Sequence, residues 1–122
     1  SSFTLWDNME KEFKDFQPVN LGFGGSTLAA CAWFYEKVLP RHQPDAVVIY
    51  AGDNDLGDGR NPEEVVLFYL QLVSQIKQSL GKIPVCFVSI KPSPSRQYLR
   101  GSIEFANDCI RKYADKHGKH LY

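Results

Sequence analysis

What most constrains this chain is an alternation of short β-rich runs with longer stretches of helical period. Pro18-Val19-Asn20-Leu21, Asp45-Ala46-Val47-Val48-Ile49-Tyr50 and the run Ile83 to Ile90 read as strands, and His120-Leu121-Tyr122 as the opening of another. The second and third runs are almost continuously apolar, the pattern of strands covered on both faces. Between the strands lie helical stripes. Residues 3–14 carry Leu5, Trp6, Met9 and Phe13 at helical spacing, with Asp7 and Glu10 early and lysines late, as the helix dipole favours. Ser26 reads as the N-cap of a helix that turns Leu28, Cys31, Ala32 and Tyr35 inward and stops at Pro40. Asn61-Pro62-Glu63-Glu64 is a dense start signal: a cap, a proline at the first helical position and a glutamate three residues on. That helix turns Val65, Tyr69, Leu72, Ile76 and Leu80 inward and ends at Gly81. A last stripe, Ile103, Ala106, Ile110, Tyr113 and His117, closes at Gly118. Strands and helices in this order imply right-handed crossovers and a parallel sheet between helix layers.

With 122 residues the chain makes one domain, residues 1–122, and buries enough surface to need no disulfide or metal staple. Fourteen Lys+Arg balance 14 Asp+Glu, so there is no basic stripe for a nucleic-acid backbone and no charge to hold it on an anionic membrane. No apolar run approaches the roughly 18 residues of a spanning helix. Cys31, Cys86 and Cys109 are far apart and odd in count, which reads as three small hydrophobes in a reducing compartment such as the cytoplasm. A leader removed on secretion would leave the same start.

In a parallel sheet, ligands gather outside the carboxyl ends of the strands. Two informative loops fall at that edge. Ala51-Gly52-Asp53-Asn54-Asp55 follows a strand, and Asn54 can offer its amide N–H groups to a developing negative charge; a plain turn uses the same residues. Gly22-Phe23-Gly24-Gly25-Ser26 joins a strand to a helix and leaves backbone N–H groups uncovered. A simple connection or a phosphate cradle would look alike, although the loop lacks both G-x-G-x-x-G spacing and a Gly-Lys-Ser/Thr ending.

Taken together, Asn20-Leu21-Gly22-Phe23-Gly24-Gly25-Ser26 and Tyr50-Ala51-Gly52-Asp53-Asn54-Asp55 resemble the second and third blocks of the SGNH hydrolases, the GDSL-type esterase/lipase family. Ile90-Lys91-Pro92-Ser93-Pro94 and the last helix with Asn107 resemble members of it too. The resemblance implies an α/β three-layer sandwich with a parallel, flavodoxin-like sheet. It implies one oxyanion donor at the Gly25 N–H and another at the Asn54 carboxamide. The family's nucleophilic serine falls on Ser1, with Ser2 the rival if the register slips by one. The implied reaction is acyl transfer from a small-molecule ester to water through an acyl-enzyme, with no metal or organic cofactor called for.

The sequence departs from the family in two places. A serine needs a base, and the family's Asp-x-x-His element has no counterpart here. His42, His117 and His120 belong to connections or ends expected on the opposite side of the sheet, and Asp115 to His117 has the wrong spacing. The family's first strand, central in the order 2-1-3-4-5, should precede Ser1. The 122 residues therefore read as a domain incomplete at both ends, without that first strand and the C-terminal helix. Three functions follow as expectations: an ester hydrolase whose base lies elsewhere, a catalytically inactive scaffold for binding, or a flavodoxin-like phosphate or nucleotide module. The Pro92–Pro94 loop is expected to shape the substrate pocket. Oligomeric state is left open.

Overall fold

The computed structural model describes residues 2–122. Three parallel strands form the sheet, β1 (Val47–Ile49), β2 (Val85–Phe87) and β3 (His120–Leu121), in the order β1-β2-β3. Val48 pairs with Cys86, and Cys86 with Leu121. The α/β class and the parallel sheet agree with the pattern read from the sequence.

Two of the long helices begin at a residue whose side chain satisfies a free backbone N–H. In α4 (Pro62–Leu80) the capping box is complete: Glu64 N–H donates to Asn61 Oδ1 at 2.8 Å, and Asn61 N–H donates to Glu64 Oε1 at 3.2 Å. Gly81 ends it at φ 77°. The cap of α2 (Leu28–Val38) is Thr27, one residue later than expected, because the Thr27 hydroxyl accepts from Ala30 N–H at 3.0 Å. Helix α5 (Arg100–Lys116) carries the last stripe, burying Ile103, Ala106, Ile110 and Ala114, with Tyr113 half-buried and His117 exposed at its end.

The core lies between these helices and the sheet. Leu28 and Tyr35 of α2, Val65, Tyr69, Leu72 and Ile76 of α4, and the α5 stripe close over Ile49, Val85, Phe87 and Ile90. Tyr69 meets Phe87 edge to face at 5.2 Å. Fully burying a side chain of this size contributes about 1.5–3 kcal/mol. The Tyr35 hydroxyl bonds Ser79 Oγ, and Gln75 Nε2 donates to the Ala32 carbonyl at 3.2 Å, so polar contacts fix α2 against α4.

Four local expectations need correction. Residues 18–21 form no strand: a strand exists only through a ladder, and no neighbouring strand lies beside them among the described residues. The single helix expected over residues 3–14 is broken into a 3₁₀ turn at Ser2–Leu5, the one-turn α1 (Met9–Glu12) and a second 3₁₀ turn at Lys14–Phe16. None of these buries a residue, and a helix this short depends on burial of an apolar face for its stability. The polar loop after Gly52 contains a short helix, α3 (Asp53–Gly57). Finally, the strands are covered on one face only. Val48, Cys86 and Leu121 share the opposite row, where Val48 is 55% and Leu121 57% exposed.

Candidate active site

The site builds from the carboxyl end of β1. The chain leaves Tyr50, passes buried Ala51 and turns at Gly52, whose φ of 121° is a conformation for glycine. A Cβ there would also stand 2.6 Å from Ile90 Cδ1. This sharp turn starts α3, so Asp53, Asn54 and Asp55 emerge on successive sides of one helical turn.

Asp55 turns inward. It is completely buried, and its carboxylate accepts from the N–H groups of Leu28 at 2.7 Å and Ala29 at 3.3 Å. Burial pushes its pKa up, opposed by these amides and by Arg60 nearby. The first free amides of α2 are therefore satisfied by Asp55 and Thr27, which leaves little of that helix end for an outside anion. This counts against a phosphate cradle at Gly22–Ser26.

Asn54 turns toward the glycine loop. Its Nδ2 donates to the Ser26 carbonyl at 3.0 Å, and its Oδ1 accepts from Arg96 at 3.2 Å. Ser26 directly follows Gly25, so the two expected oxyanion donors sit on adjoining loops. Gly25 adopts φ +67°, and a Cβ on it would meet nothing within 4 Å, so that side of the residue is uncrowded. The loops are held at three points: Asn54 to Ser26, and Asp55 to Leu28 and Ala29.

The start of the chain reaches the same edge. Asn20 Nδ2 donates to the Phe3 carbonyl at 2.5 Å, while Asn20 Oδ1 accepts from Gly22 N–H at 2.9 Å. The Phe3 ring lies 6.1 Å from that of Tyr50. Tyr50's hydroxyl is buried beside the Ser2 side chain and the Lys91 backbone, without a hydrogen bond of good geometry, and burial raises its pKa. Ser2, the rival nucleophile, is thus at the β1 carboxyl end; Ser1, the expected one, lies outside the described residues.

The histidines do not converge on these groups. His120 opens β3 level with Val85, at the amino edge of the sheet, and His117 caps α5 beside it. His42 ends a 3₁₀ turn before β1, on the same side. Among the described residues no cluster of three His, Cys, Asp or Glu side chains could hold a metal ion, and no helix is long and apolar enough to cross a membrane.

Two residues of the site escaped the sequence reading. From the sequence Asp55 falls in a loop, and the signal that marks it is a carboxylate in the first turn of the short helix after β1, facing the start of α2. Arg96 carried no signal, since its partners lie more than 40 residues away. Beside it, a cavity of about 320 Å³ is lined by Ile90, Pro92, Gln97, Arg100, Glu104 and Asn107, among others. Asn107 holds its wall by two 2.9 Å bonds to the Ile90 backbone, one to N–H and one to the carbonyl. Pro92 lines this cavity, and Pro94 opens the turn that carries Arg96.

A parallel α/β sheet with a glycine loop and an asparagine loop meeting at its carboxyl edge defines the SGNH class of fold. A sequence model of the GDSL-like Lipase/Acylhydrolase family matches residues 4–122, and the chain belongs to that family. Among solved structures, the psychrotrophic esterase EstA from Pseudoalteromonas sp., inhibited by monoethylphosphonate, is similar with a TM-score of 0.71 at 16% identity. The match covers 93% of this chain and 62% of that one, so this chain spans less than two thirds of the esterase. No curated protein matches it.

Proposed function

We propose that the protein is a serine ester hydrolase of the SGNH type, acting on a small-molecule carboxylic ester. A serine hydroxyl at the start of the chain, Ser1 with Ser2 as the rival, attacks the ester carbonyl. The Gly25 N–H and the free hydrogen of the Asn54 Nδ2 group receive the oxyanion that forms. The tetrahedral species collapses to an acyl-serine with loss of the alcohol, and water then releases the acid.

One observation carries this reading: Asn54 Nδ2 is anchored at 3.0 Å to the carbonyl of Ser26, the residue directly after Gly25, which brings the two expected donors onto adjoining loops. All three histidines sit at the amino edge, so the reading takes the base from outside these 122 residues. The same observation favours the second reading, an inactive scaffold that binds without turnover. The test is hydrolysis of p-nitrophenyl acetate by the full-length protein. Turnover abolished by a serine-directed phosphonate, with the added mass on the peptide containing Ser1 and Ser2, supports the hydrolase. No turnover and no labelling supports the scaffold.

A further inference from the structure

Resting on that oxyanion reading, we infer that Arg96 is a positioning residue of the same site, fixing which end of the Asn54 carboxamide faces the substrate. A guanidinium carries only donors, so the carboxamide must present its oxygen to it. The Ser26 carbonyl only accepts, so it must receive the nitrogen. The two partners, at 3.2 Å and 3.0 Å, demand the same orientation. A flipped carboxamide would set donor against donor at one end and oxygen against oxygen at the other. In the enforced orientation one Nδ2 hydrogen is committed to Ser26 and the second is left for an oxyanion. A positive charge against Oδ1 also draws density from the amide and strengthens that remaining donor.

Arg96 is itself held firmly. Its Nη1 donates to the Asp53 carbonyl at 2.9 Å and stands 3.5 Å from Asp53 Oδ2, while Nη2 reaches Asn54. The guanidinium lies flat on α3 at Gly57, where a Cβ would come within 2.7 Å of Cζ. A backbone kink at Arg96, φ −124° and ψ 31°, aims the side chain there from the turn opened by Pro94. Lysine, with a single point of charge, cannot span the Asp53 carbonyl and Asn54 Oδ1 as a rigid fork does.

The experiment compares Arg96→Lys, Arg96→Met and Gly57→Ala in the full-length protein. Gly57→Ala keeps the arginine and favours the helix, yet displaces the guanidinium, so a loss there is not a folding defect. The expected result is a fall in kcat of about 10–10²-fold for all three on p-nitrophenyl acetate, with KM within about twofold. Added to Asn54→Ala, Arg96→Met should cost nothing further, because it acts only through that side chain. The Asn54 side-chain ¹H–¹⁵N resonances give a readout independent of turnover: two well-separated amide protons in the parent, converging in all three variants. An unchanged pair of resonances overturns the inference, as do losses that multiply with Asn54→Ala. If the parent shows no turnover but the resonances respond, the hydrolase reading fails while the positioning role stands.

Discussion

Asp55 accepts a 2.7 Å hydrogen bond from the amide of Leu28, a residue 27 positions earlier in the chain. One buried carboxylate thus ties the loop after β1 to the first turn of α2, the helix that follows the glycine loop. The two halves of the candidate oxyanion hole lie on loops before α2 and after β1, and this bond helps set their spacing. Replacing Asp55 by alanine leaves the buried Leu28 amide and the half-buried Ala29 amide without their acceptor. The expected loss is about 2–3 kcal/mol, read as a lower urea midpoint with an unchanged slope. A midpoint within error of the parent's would show that the tie contributes no stability.

Gly52 makes a sharper test of the turn. Gly52→Ala adds a Cβ both at φ 121° and 2.6 Å from Ile90 Cδ1, so it should destabilise by about 2–4 kcal/mol. Ile90→Val removes the Cδ1 atom. Combined with Gly52→Ala it should recover part of the loss and leave the backbone strain, a positive coupling in a double-mutant cycle. Strictly additive losses would place the cost entirely in the backbone.

His120 gives the fold a pH dependence. Burial lowers its pKa below the ordinary 6.5, and the neighbouring His117 and Lys77 push the same way. The unfolded chain therefore takes up this proton first as pH falls. The contribution of His120 is fully present above about pH 6.5 and is lost as pH drops through the window below that value. His120→Asn should flatten this part of the profile, so the parent's urea midpoint falls more between pH 7.5 and 5.5 than the variant's. Parallel profiles would contradict it.

What was legible in the sequence follows from how local its physics is. The capping box at Asn61–Glu64 has both of its hydrogen bonds within three residues, and it formed as expected. The Asn54 loop leaves the carboxyl end of β1 as its place in the sequence implies, and hydrogen bonds from Asn54 to Ser26 and from Leu28 and Ala29 to Asp55 bring the Gly25 loop beside it. Residues 18–21 have strand composition, but a ladder is made by neighbours rather than by composition. The stripe Leu5, Trp6, Met9 and Phe13 has helical spacing but no buried surface to hold a long helix, and the segment folds on itself, with Trp6 and Phe13 edge to face at 5.4 Å. The apolar runs at Val47–Ile49 and Val85–Phe87 suggest two covered faces, whereas Val48 and Leu121 stand open on one. Arg96 was beyond reach because its role exists only once the turn at Pro94 is folded against α3.

The most direct test of the central claim is the kcat of Asn54→Ala measured beside the parent, in the full-length protein, with p-nitrophenyl acetate. If the Asn54 carboxamide and the Gly25 amide hold the oxyanion together, kcat falls about 10²–10³-fold while KM stays within a few-fold. A variant that turns over at the parent's rate would contradict the claim.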